Sequence, residues 1–408
     1  MHKVITFLGT YPKLTKYSWQ DQVYEGNVFA EALQQFWEYD SMLVLTTEGA
    51  KETTWKILAD LNDPKIQCVP ISDGKSTEEM WNIFDTVIDN VAEGDTVTFD
   101  ITHGFRSLPF LAFLFAAYLK IARKVTIKAI LYGALEMQSK TANASAPVLD
   151  MTEFVTMFDW ITATDQFIQT GDAYRLAGLL EPRHRNRKAS HKAAQTLKNI
   201  SQAAFLCQPF VFMEEAYKLP SQLQDAQNEF STTSKPFQVL SAQIETAFGV
   251  FANPSPMENP LSMLSIEYRL IDWYFEHNQL MQAVTLGREW LIDAVTWKLG
   301  KPLDYKRIQR GTMERAISGL SQLGRPQTEE GDSSTEKFTV HDLNEFGRII
   351  YNTWQEADKI RRLWSEFIEV RNNLDHASHQ ASPLPLDQLN KKSQQIRNML
   401  AQLAQYWG

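Results

Sequence analysis

Two short segments of this sequence combine residue types that could carry out chemistry on phosphate groups. Near the C-terminal end, the segment RNNLDHA contains Arg371, Asn372 and His376. A neutral histidine can take the proton from a ribose 2′-hydroxyl, and an arginine can stabilise the charge that develops on the phosphate oxygens. This chemistry suits RNA cleavage without a metal ion, and His376 of a second, symmetry-related chain could protonate the leaving oxygen.

The same segment follows the periodicity of a helix. One face of the predicted helix carries residues three and four positions apart: Ile360, Leu363, Trp364, Phe367, Arg371 and Leu374. We expect Arg371 to lie on this otherwise apolar face, where a cation needs a compensating partner or a ligand. Asn372 is close enough in a helix to orient the imidazole of His376. Because Arg371 and His376 are about 140° apart around a regular helix, either the helix end unwinds or a second chain completes the site. From the residues alone, a salt-bridged arginine beside a surface histidine is the simpler interpretation.

A second segment, DITHGFRSLP at positions 100–109, combines a strand end, a tight turn and the start of a helix. Ser107 can cap that helix, and Gly104 lets the backbone approach a ligand closely. The free N–H groups and partial positive charge of a helix N-terminus attract phosphate, and Thr102 and Arg106 add a hydroxyl and a cation. The residues alone favour a phosphate site and an ordinary strand–helix turn about equally.

The elements around this second segment predict an α/β domain. Five apolar, strand-like runs occur in the first 135 residues: Val4–Leu8, Met42–Thr46, Ile66–Ile71, Thr96–Ile101 and Val125–Tyr132. Helical patterns separate them: Glu25–Glu38, Lys51–Leu61, Thr77–Val91 and Leu108–Ala122. This alternation predicts a Rossmann-like, doubly wound parallel sheet. Such sheets bind ligands at the carboxyl ends of their strands. The candidate residues are therefore those that follow the strands: Gly9-Thr10, Thr47-Glu48, Thr102–Ser107 and Gly133–Glu136.

From about Met151 onward the strand signals fade, and the sequence predicts an all-α region. Its helical patterns are Trp160–Leu180, Ala189–Leu206, Met263–Phe275, Gln279–Leu299, Tyr351–Leu374 and Leu386–Tyr406. The proline-rich stretch Asn253–Pro256 is a candidate linker, and the polar stretch Arg325–Lys337 predicts a mobile loop. We therefore expect a sheet domain over 1–150, a helical connector over 151–255 and a helical domain over 256–408.

Three stretches of the first domain resemble the CARF domains of CRISPR-associated proteins: FLGT at 7–10, DITHGFRSLP at 100–109 and LYGALE at 131–136. They are most similar to the subfamily in which a THGFRSLP-like signature follows the fourth strand. The resemblance implies a dimer that binds a cyclic oligoadenylate across its two-fold axis. The ligand-binding residues that it implies are Gly9, Thr10, Thr102, His103, Gly104, Phe105, Arg106 and Ser107.

The segment RNNLDHA at 371–377 resembles the Arg-x4–6-His signature of HEPN ribonucleases, including an asparagine directly after the arginine. The whole chain then resembles the CARF–HEPN ancillary ribonucleases of type III CRISPR systems. That resemblance implies a cytoplasmic homodimer or higher oligomer that acts in antiviral defence. Cyclic tetra- or hexa-adenylate would activate it to cleave single-stranded RNA. Arg371, Asn372 and His376 would be the catalytic residues, with no metal ion and no cofactor.

Two other functions stay open at this stage. In one, the protein is a nucleotide-sensing regulator without catalysis, and its C-terminal helices bind nucleic acid or a partner protein. In the other, the CARF domain is the enzyme and degrades the messenger. A second Arg-x5-His match, from Arg185 to His191, lies in the basic segment Arg183–Lys198. Such a segment is more typical of a solvated face or an RNA-tracking patch than of a catalytic pair.

Composition limits the remaining choices. Forty lysines and arginines against 49 aspartates and glutamates give a net charge of −9, which argues against a protein that wraps nucleic acid over its whole surface. Two cysteines cannot form a disulfide framework, and they favour a reducing compartment such as the cytoplasm. The longest apolar stretch, Leu108–Leu119, is shorter than the roughly 20 residues that a membrane span requires.

Overall fold

The computed structural model describes residues 1–103, 108–137, 145–181, 188–229, 234–303, 307–326, 337–375, 379 and 382–407. Five of the predicted site residues lie outside these ranges: Gly104, Phe105, Arg106, Ser107 and His376. Most of the predicted mobile loop, at 327–336, also lies outside them. The chain forms two compact units, Met1–Asp159 and Trp160–Gly408.

The first unit contains an eight-stranded mixed sheet. Its strands are His2–Phe7 (β1), Thr15–Trp19 (β2), Gln22–Gly26 (β3), Ser41–Thr46 (β4), Ile66–Pro70 (β5), Thr96–Asp100 (β6), Thr126–Gly133 (β7) and Ala146–Asp150 (β8). Their order is β3-β2-β8-β7-β6-β1-β4-β5. The five predicted strands form the parallel part, β7-β6-β1-β4-β5. This order is that of a doubly wound Rossmann-like sheet, so the predicted fold class is confirmed.

Helices cover both faces of this parallel part. They are Phe29–Phe36 (α1), Glu48–Glu52 (α2), Trp55–Ala59 (α3), Thr77–Asp89 (α4) and Leu108–Ala122 (α5). Alternate residues of β1 point to opposite faces. Phe7 joins a buried cluster with Val87 of α4 and Phe115 of α5, whereas Val4 joins a second cluster with Leu33 of α1. The strands are therefore buried on both faces, which explains why they read as continuous apolar runs.

Three strands extend this sheet beyond the prediction. β8 pairs antiparallel with β7, β2 pairs parallel with β8, and β3 pairs antiparallel with β2. The predicted helix Glu25–Glu38 is wrong at its start, because Glu25 belongs to β3. The buried carboxylate of Glu31 accepts hydrogen bonds from the N–H groups of Asn27 (2.6 Å) and Val28 (3.0 Å). This capping fixes the start of α1 after residue 28.

The second unit is helical in its described residues, as predicted. Its helices, of which the first starts in the first unit, are Thr152–Thr170 (α6), Tyr174–Leu180 (α7), Lys188–Phe205 (α8), Pro209–Glu229 (α9), Ser234–Phe248 (α10), Pro260–Glu276 (α11), Leu280–Lys298 (α12), Arg307–Gln322 (α13), Glu345–Thr353 (α14), Ala357–Asp375 (α15) and Leu386–Trp407 (α16). One buried cluster extends from Ala163 to Leu403. The predicted linker Asn253–Pro256 lies inside this unit, and the division at residue 255 stays a prediction.

A cluster of ionisable groups joins α11, α12 and α13. Arg310 of α13 pairs with Asp293 and with Glu289 of α12, the latter at 2.5 Å from Nη2 to Oε2. Glu267 of α11 is 3% exposed, and its Oε2 atom has no hydrogen-bond partner among the described residues. Burial, and then the nearby Asp293 carboxylate, raise the pKa of Glu267 to about 8, although Arg310 opposes the change. Glu267 is therefore mostly protonated at neutral pH.

No helix among the described residues is long and apolar enough to cross a membrane.

Candidate functional sites

The described part of the predicted ligand site lies where the sheet order reverses direction. β1 and β6 are parallel neighbours, and the chain leaves them toward helices on opposite faces. Gly9 and Thr10 follow β1, whereas Thr102 and His103 follow β6. A Cβ atom on Gly9 would lie 3.9 Å from the Cβ of His103. The fold thus brings these four residues to the crevice in which doubly wound sheets bind ligands.

Thr102 is held by a short hydrogen-bond network at this edge. Its N–H donates to Asp100 (2.8 Å), and its hydroxyl oxygen accepts from the N–H of Gly133 at the end of β7 (2.7 Å). Asp100 is fully buried and also accepts from the hydroxyl of Thr6 (2.6 Å). The network ties the ends of three strands together. The Thr102 side chain also hydrogen-bonds the Asp100 carboxyl, so its hydroxyl belongs to this network.

His103 is held as a neutral imidazole. Burial lowers its pKa, and the neighbouring Asp100 carboxyl opposes that change. The pKa of Asp100 is raised by burial. The Nε2 atom of His103 accepts a hydrogen bond from the N–H of Phe29, the first residue of α1, at 3.3 Å. The ring hydrogen therefore resides on Nδ1, and His103 can present one N–H donor without a full charge.

Thr54 fixes the backbone beside Gly9, and nothing in the sequence signals this role. Its hydroxyl is fully buried and donates to the carbonyl oxygen of Gly9 (2.7 Å). Thr10 is exposed, and a Cβ atom on Gly49 would lie 3.2 Å from its Cγ2 atom. The segment after β4 thus supports the segment after β1. Gly9 and Thr10 are positioned by residues about 40 positions further along the chain.

Arg371 lies at the exposed end of α15, and its predicted place on the apolar face is wrong. The residues of α15 that are buried are Ile360, Leu363, Trp364, Phe367 and Val370. This face passes through residue 370, so the Arg371 side chain is 44% exposed and its Nε atom donates to Asp375 at 2.8 Å. An exposed pair of this kind contributes little free energy. The guanidinium can therefore exchange Asp375 for a phosphate at small cost.

The two asparagines of the motif differ in their surroundings. Asn372 is exposed, and its relation to His376 lies outside the described residues. Asn373 donates from Nδ2 to the carbonyl oxygen of Glu369 (2.9 Å) and accepts from the N–H of Leu384 (2.8 Å). It thereby connects the end of α15 to the segment that leads into α16. The role of Asn373 cannot be predicted from the sequence, because only the loop geometry distinguishes the two asparagines.

The described part of the basic segment has the features of a solvated helix start. His191 and Lys192 of α8 are exposed. The carboxylate of Glu229 accepts from the N–H groups of Ala189 and Ser190, both at 2.9 Å. These N–H groups are already satisfied by a carboxylate and do not form a phosphate site. Three other cations of the segment lie outside the described residues: Arg183, Arg185 and Arg187.

The middle of the chain is similar to a domain of a known protein. Residues 156–253 match the family model for the second domain of CRISPR-associated protein MJ1674. Over 118 residues the chain is 31% identical to CRISPR-associated protein MJ1674 of Methanocaldococcus jannaschii, a stretch that covers 28% of this chain and 18% of that protein. Residues 156–253 therefore form a domain similar to the second domain of that protein. A solved structure of Enterococcus italicus Csm6 bound to cyclic hexa-2′-fluoro-hexa-dAMP aligns with 99% of this chain and 93% of its own. The TM-score is 0.45 and the sequence identity is 9%.

The MJ1674-like domain comprises most of the helices α6 to α10. The rings of Phe167 and Phe248 stack at its centre with centroids 4.1 Å apart. The turn after α6 contains Gly171, whose φ of +76° favours glycine. A Cβ atom at this position would lie 2.8 Å from Cη2 of Trp273 in α11. The domain is thus closely packed against the helices that follow it, within the second unit.

Proposed function

We propose that this protein is a metal-independent endoribonuclease of type III CRISPR antiviral defence, activated by a cyclic oligoadenylate. The observation that carries the proposal is the position of the MJ1674-like domain. It lies between a Rossmann-like domain with the DITHGFRSLP motif and a helical region that contains RNNLDHA. The match indicates a CRISPR-associated protein, and the two motifs on either side of it suggest a sensor and an effector.

The chemistry at the sheet edge supports the sensor role. A cyclic oligoadenylate presents phosphate oxygens, which accept hydrogen bonds. The exposed Thr10 offers a hydroxyl donor and neutral His103 offers an N–H, close to the small residue Gly9. Thr102 belongs to the hydrogen-bond network that fixes this edge. Arg106, Ser107, Gly104 and Phe105 complete the proposed ligand set by their place in the motif. In the proposed homodimer the ring is held between two copies of this edge.

The end of α15 supports the effector role. Asp375 is the described residue that pairs with Arg371, and it binds Nε, so the two Nη groups can bind a phosphate. His376 follows Asp375 directly and would accept the proton of the attacking 2′-hydroxyl. Asn372 would orient that histidine, and the partner chain would complete the site. Ligand binding would activate cleavage by favouring the dimer arrangement in which the two effector ends meet.

The test is a cleavage assay with labelled single-stranded RNA and either cyclic tetra- or cyclic hexa-adenylate. We expect cleavage with one of these ligands, products that end in 2′,3′-cyclic phosphate, and no loss of activity in EDTA. His376→Ala should lower the rate by about 10²–10⁴-fold, and Arg371→Ala by about 10²–10³-fold. His379→Ala, which changes an exposed histidine of the same segment, is the matched control and should remain active.

Three results would contradict the proposal. Absence of cleavage with both ligands, together with tight ligand binding, would favour a sensing regulator. Breakdown of the ligand that survives His376→Ala would favour a messenger-degrading enzyme. Loss of activity in His191→Ala but not in His376→Ala would move the nuclease centre to the basic segment.

A further inference from the structure

A basic groove in the second unit is not used by the function proposed above. It has a volume of about 450 Å³ and lies between the end of α13 and the helices α15 and α16. Three arginines line it, Arg325, Arg361 and Arg362, together with the side-chain amides of Gln395 and Asn398. In a chain with a net charge of −9, this is a local concentration of positive charge and hydrogen-bond donors.

The positive charge of this groove is only partly compensated. Arg361 pairs with the exposed Asp358 at 3.1 Å. The acidic residue on the wall, Glu366, pairs with Lys392 at 2.8 Å. Among the residues that the structure describes, no carboxylate pairs with the exposed Arg325 or Arg362. The groove therefore retains a net positive charge that an anionic ligand can neutralise.

The backbone around Arg325 is fixed, so this wall of the groove is preorganised. The carbonyl oxygen of Arg325 accepts from the N–H of Phe338 (2.9 Å), and the N–H of Gly324 donates to the carbonyl oxygen of Phe338 (2.9 Å). A bridge between Pro326 and Lys337 continues this pairing and places the backbone of a further cationic residue opposite the residue after Arg325. A ligand that binds here does not have to order this segment first.

We propose that this groove binds the phosphodiester backbone of single-stranded RNA and guides it to Arg371. The inference rests on the proposed ribonuclease function and adds the path of its substrate. Arg361 and Arg371 lie on the same helix, about 80° apart around its axis, so the strand would pass partly around α15 between them. Along the axis the two residues are ten positions and so about 15 Å apart. This distance corresponds to roughly four nucleotides of a stacked strand at ~3.4 Å each. Arginine forks bind phosphate oxygens in pairs, and the amides of Gln395 and Asn398 suit sugar and base edges.

The test measures RNA binding as a function of salt in the full-length His376→Ala protein, which separates binding from cleavage. A triple variant carries Arg325→Gln, Arg361→Gln and Arg362→Gln. Its slope of log K against log salt should be shallower by about 2, because each phosphate contact to a single strand contributes about 0.7. Arg362→Gln alone changes an exposed side chain, which keeps the test valid if the triple variant folds poorly. We expect it to reduce the slope by about 0.7. Arg348→Gln, an exposed arginine of α14, is the matched control and should leave the slope unchanged.

In the otherwise wild-type enzyme, the triple substitution should raise KM more than it lowers kcat. The increase in KM should shrink when the RNA extends less than about four nucleotides beyond the cleaved bond. Unchanged salt slopes in Arg362→Gln and in the triple variant would overturn the inference, and so would a failure of the His376→Ala protein to bind RNA. Full cleavage by His376→Ala would instead overturn the proposed function, while the binding slopes would still test the groove.

Discussion

The buried carboxyl group of Glu267 predicts how the stability of the helical unit depends on pH. Glu267 is 3% exposed, close to Asp293, and shares with Asp293 and Glu289 the positive charge of Arg310. Its pKa is about 8 in the folded protein, compared with 4.5 for an ordinary glutamate. Between these values the unfolded chain has lost this proton whereas the folded chain retains it. Stability should therefore fall as the pH rises through this window and stay low above it.

The difference between the two pKa values sets the size of the effect. Between pH 5 and pH 8, the difference between the folded and unfolded pKa values lowers the free energy of unfolding by about 3 kcal/mol. Glu267→Gln keeps the shape of the side chain but cannot ionise, so the variant should not show this loss. We expect the variant to be close to the wild type at pH 5 and more stable by about 2–3 kcal/mol at pH 8.

The assay is urea unfolding followed by tryptophan fluorescence at pH 5, 6.5 and 8. Glu214→Gln, an exposed glutamate of α9, is the matched control and should follow the wild type at each pH. Parallel pH profiles for the wild type and Glu267→Gln would show that Glu267 is ionised in the folded protein. That result would refute the interpretation of this cluster.

Two further predictions concern other positions. Gly171→Ala should destabilise the protein by about 1–3 kcal/mol because φ is positive and the added Cβ would lie 2.8 Å from Trp273. Gly178→Ala, on a helix with open space around it, should have no cost, and equal unfolding midpoints for the two variants would contradict the packing argument. Because burial lowers the pKa of His103 below its ordinary value of 6.5, ligand affinity measured by calorimetry should vary little between pH 7 and 8, whereas clear strengthening from pH 8 to pH 7 would show that His103 gains a charge.

The sequence predicts the parallel sheet well because its strands are buried on both faces. β1, β4 and β6 are short apolar runs, and this pattern follows directly from helices covering each side. The strands β2 and β3 were missed because they mix polar with apolar residues and so lack a continuous apolar run. β8 contains Pro147, which argues against a strand. The helix α9 was missed in part because Pro220 lies inside it.

For the candidate sites too, sequence patterns predict some features, whereas others depend on how the chain packs. The rule that ligands bind at strand ends placed Gly9 and Thr102 at one edge, and the strand order supports that placement. The buried face of a helix is more difficult to predict. Val370 and Arg371 lie three and four positions after the buried Phe367, so helical periodicity allows either of them to continue that face. The hydrogen bonds of Thr54 and Asn373 connect parts of the chain that only the folded structure brings together.

The central claim is that a ligand bound at one end of the chain controls cleavage at the other. The most direct test is to measure ligand affinity and RNA cleavage on the same preparations of the wild type, Thr102→Ala and His376→Ala. We predict that His376→Ala binds the cyclic oligoadenylate as tightly as the wild type but does not cleave RNA. Thr102→Ala should need more ligand for half-maximal cleavage and reach a similar maximal rate. Cleavage by His376→Ala, or cleavage by the wild type that is independent of the ligand, would contradict this claim.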